Sequence, residues 1–131
     1  MENRSNSYVS MENQIHLINS VIKSTADLIA VMTHTSFMNK PVMDIISLIF
    51  KFLDQLMILL PDVLMTNGEA KNPKAELKDK FETVLVSWGN YFVSPTEFYN
   101  CWIDFLAAWS KYNVAVFEVT RSQETIFLSL N

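Results

Sequence analysis

The sequence predicts an all-α protein, a four-helix up-down-up-down bundle with short connections. Three observations carry that prediction. Four successive segments place apolar residues at alternating spacings of four and three, which lines them along one side of a 3.6-residue helix. Turn-formers are scarce, with 2 glycines and 4 prolines in 131 residues, and each proline stands where a helix would start or stop. The chain is 50% hydrophobic and 18% charged, so it has ample core material and falls below the ~25% charge of an average soluble domain. We read one helical domain over 1–131, with helices at about 9–33, 41–65, 73–92 and 95–127.

The first helix carries the stripe Met11, Ile15, Ile18, Ile22, Thr25, Ile29 and Met32, with Glu12, Asn19, Lys23 and Asp27 at other positions. Ser7 or Ser10 offers a hydroxyl to cap its start. The pattern breaks at 33–40. Pro41 opens the second helix, where its missing N–H costs nothing. From Val42 to Leu60 this helix is apolar on most sides, and its polar residues Asp44, Ser47, Lys51, Asp54 and Gln55 lie roughly on one line. A membrane span needs ~20 mainly apolar residues and pays several kcal/mol for a charge at its centre. Lys51 and Asp54 would occupy that centre, which favours a central helix of the bundle over a spanning or surface-bound one. Pro61 kinks or ends the helix before the stop at Asn67-Gly68.

Asn72 and Pro73 read as cap and first residue of the third helix, whose stripe is Leu77, Phe81, Val84, Trp88 and Tyr91. The fourth begins at Ser94-Pro95-Thr96-Glu97, a capping-box sequence. Its stripe is Phe98, Trp102, Phe105, Trp109, Tyr112, Val116 and Val119, with Glu97, Asp104, Lys111 and Glu118 recurring every seven residues on another face. That phase runs on through the β-branched stretch VAVFEVT and favours helix over strand there. The link of about Phe92-Val93-Ser94 is so short that these two helices must be antiparallel neighbours.

Charge and motif content exclude several function classes. Net charge is −4, and the one basic cluster, Lys71, Lys74, Lys78 and Lys80, is interleaved with Glu69, Glu76, Asp79 and Glu82. Binding to nucleic acid draws on clustered cations that release counterions from phosphates, so no nucleic-acid partner is expected. Cys101 is the single cysteine; it allows no intramolecular disulfide and no thiolate metal site, and suits a reducing compartment. The polar start MENRSNSYVS lacks the apolar stretch of a signal peptide, which points to a cytoplasmic protein.

His16 and His34 stand eighteen positions apart, about 27 Å along a helix, too far to clamp one metal or haem iron. Neither Glu-x-x-His nor His-Glu-x-x-His occurs. With Gly68 and Gly89 as the only glycines, no Gly-rich phosphate loop can form. The acidic residues Asp44, Asp54, Asp62, Asp104 and Glu118 fall on polar helix lines, and no Gly-x-Ser-x-Gly is present. We therefore expect no catalytic residue, metal or cofactor.

Binding is the class that remains. Apolar residues flank the stripes, and a small bundle has one interior, so the flanks face outward and mark a partner surface. The candidate interaction face comprises Leu17, Val21, Leu28, Phe50, Phe52, Tyr99, Ile103, Leu106 and Phe117. The first expectation is a non-enzymatic interaction protein, a homo-oligomer or the binder of a helical protein partner. The second is an amphipathic coat or adaptor on a membrane or lipid-like granule surface. The third is a small enzyme or ligand carrier with an aromatic-lined cleft, since eleven of the sixteen aromatic residues fall between Phe81 and Phe117.

Overall fold

The computed structural model of the chain describes the backbone of residues 2–35, 40–63 and 72–129, and the side chains of 12–32, 40–63 and 72–121. Its secondary structure is four α-helices: α1 (Glu2–Thr35), α2 (Lys40–Ile58), α3 (Pro73–Gly89) and α4 (Pro95–Ser129). No strand occurs among the described residues. The side chains of Met11 and His34 lie outside the described set, as do Asn67, Gly68, Glu69 and Lys71 altogether.

Where the sequence reads as one domain, the helices gather into two compact units, Met1–Leu60 and Pro61–Asn131. In the first α1 packs on α2, and in the second α3 packs on α4. A stripe specifies which side of a helix is buried, and says nothing about which neighbour buries it. Both pairs are separated by only a few residues, which makes each a helical hairpin.

In the first unit α1 begins at Glu2, ahead of the expected start near 9. Its opening residues include neither Pro nor Gly, and Ser or Asn costs a helix at most ~0.7 kcal/mol each. Ile18, Ile22, Thr25, Ile29 and Met32 are all buried, as their spacing requires. Thr25 enters this apolar line without an orphaned hydroxyl, because Oγ1 donates to the Val21 carbonyl one turn back at 2.7 Å. In α2 the buried line is Ile46, Phe50, Leu53 and Met57, continued by Leu60 beyond the helix.

The end of α2 shows how Pro61 acts. A residue before proline is disfavoured in helical geometry, and proline brings no N–H to continue the ladder. The last turn accordingly tightens: Leu59 N–H donates to the Leu56 carbonyl at 3.1 Å and Leu60 N–H to Met57 at 3.2 Å. Pro61 therefore ends the helix, which stops at Ile58 and short of the expected 65.

The second unit follows its sequence signals closely. Asn72 caps α3, its side-chain oxygen accepting the Lys74 N–H at 2.9 Å, with Pro73 as the first helical residue. The C-terminal end closes with Asn90 N–H to Ser87 and Tyr91 N–H to Trp88, both at 3.1 Å. A turn over 90–94 then reverses the chain, with Ser94 N–H donating to Asn90 at 2.9 Å. α4 opens where the capping-box sequence stands, its first bond running from Phe98 N–H to the Ser94 carbonyl at 3.4 Å. The box's reciprocal side-chain bonds are not among those formed by the described residues.

Between α3 and α4 lies an aromatic core. Phe81 meets Phe105 with ring centroids 5.0 Å apart, and Trp88 meets Phe98 at 5.0 Å. Further along α4, Trp102 packs on Phe105 and Trp109 stacks on Tyr112. All of these rings are buried, together with Leu77, Val84 and Val116. The large rings thus fill the interior of this hairpin by tilted, edge-on and stacked contacts.

Candidate functional site

An α-helix that buries one stripe against a single partner leaves its opposite side to solvent, and polar residues normally occupy that side. On α4 they do not. Stepping from Tyr99 by turns of three or four residues gives Ile103, Leu106, Ala107, Ser110, Val114 and Phe117, on the side away from Phe98, Phe105 and Tyr112. Ile103 is 61% exposed and Phe117 64%. Val114, Ala107 and Ser110 are also exposed, while Tyr99 and Leu106 are half-buried at the border with the core. The strip carries no Asp, Glu, Lys or Arg between Tyr99 and Phe117.

A second apolar line occupies α2. Pro41, Ile45, Leu48 and Phe52 share one side of the helix and are exposed, as is Leu59 just beyond its end. On α1 the line is shorter: Leu17 and Val31 are exposed, with Val21 and Leu28 half-buried between them. Of the nine residues expected to form an interaction face, eight are exposed or half-buried.

Phe50 is the correction. It is 1% exposed, against 53% for Phe52. Residues two apart in a helix point to nearly opposite sides, so the two rings cannot share one face. The spacing Ile46–Phe50–Leu53–Met57 assigns Phe50 to the core.

Sequence reasoning missed Ile45, Leu48, Val114 and the turn pair Phe92-Val93, all exposed and Val93 by 88%. The seven-residue step from Ile46 to Leu53 to Leu60 was the available signal for α2. Once it fixes the buried side, Ile45, Leu48 and Phe52 fall on the other. Phe92 and Val93 read as part of the link between α3 and α4, and nothing in their pattern marks them as an exposed apolar pair.

The polar groups of the second unit serve its architecture. Lys111 Nζ reaches Glu76 Oε2 at 3.2 Å, joining α4 to α3, and Lys74 Nζ lies 4.0 Å from Asp62 Oδ1. These pairs run between segments of the chain. Both are partly exposed and each contributes on the order of 0–1 kcal/mol. His16 and Glu12 are exposed. No group of three or more His, Cys, Asp or Glu side chains that could hold a metal occurs among the described residues.

Two tyrosines are chemically unlike a free phenol. The Tyr91 and Tyr99 hydroxyls lie 2.7 Å apart. Burial, then the hydrogen bond and charge of Tyr99, push the Tyr91 phenol from 10.0 up to about 12. Tyr112 donates to the Pro61 carbonyl at 2.7 Å, and burial, then the nearby Asp62 carboxylate, raises its pKa as well. The folded chain holds these protons more tightly than the unfolded chain, whose phenols ionise near 10. Their contribution to stability is therefore intact below pH 10 and is lost as pH rises from 10 through about 12. In a titration followed by phenolate absorbance, two native tyrosines should ionise late, and Tyr91→Phe should remove one late step. Simultaneous release of all phenols near pH 10 in the native protein would contradict this.

No protein-family model, curated protein or solved structure matches the chain.

Proposed function

We propose that this chain is a non-enzymatic helical interaction protein of the cytoplasm, which engages a protein, either a second copy or a helical partner, through an apolar helix face. The observation that carries this reading is the uncharged strip of α4 from Tyr99 to Phe117, directed away from the aromatic core. Apolar surface in water costs roughly 25 cal/mol per Å², so a strip of several hundred Å² favours association by several kcal/mol before the loss of translational freedom is charged. Contiguous patches of that size mark interaction sites on soluble proteins.

A second reading, an amphipathic coat or adaptor on a membrane or lipid-like granule, is favoured by a different observation. The segment Glu12–Met32 of α1 is 21 residues long and contains an 18-residue window of mean hydropathy 1.3, which meets the length and composition of a membrane span. Against it, Lys23 falls at the middle of that segment, where a charge costs ~2.5–3.5 kcal/mol. Sedimentation equilibrium over a hundredfold concentration range, paired with flotation on phospholipid vesicles, separates the two. A defined oligomer that stays off vesicles is the expected result. A constant mass near 15.1 kDa would reject self-association and leave a different protein as partner. Quantitative flotation would favour the coat.

A further inference from the structure

We propose that Tyr99, Ile103, Ala107, Ser110, Val114 and Phe117 form a two-fold symmetric docking strip, on which α4 of a second copy of this chain lies antiparallel. This rests on the interaction reading above and names its partner. A two-fold interface uses the same patch on both subunits, so the patch must be complementary to its own reversed copy. Read from either end, the strip runs aromatic, β-branched, small, small, β-branched, aromatic. Laid antiparallel about its midpoint, it sets Ile103 against the second copy's Val114, Ala107 against Ser110, and Tyr99 against Phe117. The small central pair lets the helix axes approach to the ~8 Å end of the usual range, and the rings close the ends. From Tyr99 to Phe117 the strip is about 27 Å long.

The charges along one edge agree with the same register. Asn100, Asp104, Lys111 and Glu118 follow one line beside the strip and are exposed. In an antiparallel pair, that edge meets the same edge of the second copy. Asp104 then neighbours the other copy's Lys111, Lys111 its Asp104, and Glu118 the amide of its Asn100. Lys111 already pairs with Glu76 at 3.2 Å, but an ammonium has three N–H donors and can serve a second carboxylate. A parallel pair would set this edge against the uncharged one of Leu106 and Asn113, and the complementarity would be lost. Tyr99 is also held in place by its own unit. Its ring lies edge-on to Tyr91 and Phe98, and its hydroxyl is bonded to that of Tyr91. Docking then costs little side-chain freedom at that end of the strip.

A single helix face sits at the small end of specific interfaces, so a dissociation constant on the order of micromolar is expected. The test uses the full chain with Cys101→Ser, carrying either Ile103→Cys or Val114→Cys. In the antiparallel register each introduced thiol faces the other variant's. Two copies of the same variant place their thiols about 16 Å apart along the axis, beyond the ~7 Å a disulfide can span. Mild oxidation of the mixture should give disulfide-linked 103–114 dimers by mass spectrometry, and either variant alone should form no disulfide-linked dimer. In parallel, Ala107→Glu should raise the dissociation constant at least ~tenfold with no loss of helical signal or melting temperature, since Ala107 is exposed. A wild-type oligomer that survives Ala107→Glu, or that gives 103–103 disulfides, overturns this interface while leaving self-association through another face intact. A wild-type chain that stays monomeric up to several hundred micromolar overturns both this interface and self-association.

Discussion

Replacing Phe105 with Ala is expected to destabilise the α3–α4 unit by about 3–5 kcal/mol, the range for a fully buried aromatic ring. Phe105 has no exposed surface and lies against Phe81 and Trp102, with centroids at 5.0 and 5.4 Å. Its removal leaves a void lined by two large, stiff rings, and rings cannot bend into a cavity as a methionine would, so little of the loss is recovered by collapse. A small domain holds ~5–15 kcal/mol in total, so the substitution removes a large share of the unit's stability. Trp102 and Trp109, buried on the same stripe, should behave similarly. Chemical denaturation read by tryptophan fluorescence checks this. A Phe105→Ala midpoint equal to that of the parent would mean the aromatic interior is not packed as described.

The second large effect separates two neighbours in α2. Phe50→Asp places a carboxylate on the buried line with Ile46, Leu53 and Met57, out of reach of water, and should cost more than ~4 kcal/mol. Phe52→Asp, two residues on, alters an exposed ring and should move stability by only about 0.5 kcal/mol. The same chemistry on opposite sides of one helix, two residues apart, thus yields opposite outcomes, and circular dichroism melts of the two variants distinguish them. If the pair melts alike, the buried side of α2 has been assigned incorrectly.

Those two residues also show why some of the structure was legible in the sequence and some was not. In α3 and α4 the apolar stripe alternates with charge: Lys78, Asp79 and Glu82 interrupt one helix, and Asp104, Lys111 and Glu118 the other. Contrast between the sides fixes the phase, and every residue of the α3 stripe proves buried. In α2 the contrast is missing. Ile45, Ile46, Leu48, Phe50, Phe52 and Leu53 offer apolar side chains in almost every direction, so composition alone permits either phenylalanine to face outward. Grouping into two units lay further out of reach, because the stripes are equally consistent with any set of partners. The α4 strip was half visible: Tyr99, Ile103, Leu106 and Phe117 stood out as a flank, while Val114 sat inside a β-branched run whose outer side was not apparent.

The bond between Tyr112 and the Pro61 carbonyl spans 51 positions of sequence, and this has a consequence for the order in which a nascent chain acquires its shape. All the partners of α1 and α2 within Met1–Leu60 have been made once Leu60 is added, so their hairpin can close while the rest is still being synthesised. Pro61 must wait. At ~5–20 residues per second, roughly 3–10 s pass before Tyr112 is added and the second unit can be fastened at its beginning. Between the addition of Trp88 and that of Phe98, Leu77, Phe81 and Trp88 have been made but the rings of α4 that pack on them have not. In that window the half-hairpin exposes the apolar side that α4 later buries, the kind of transient surface through which nascent chains aggregate.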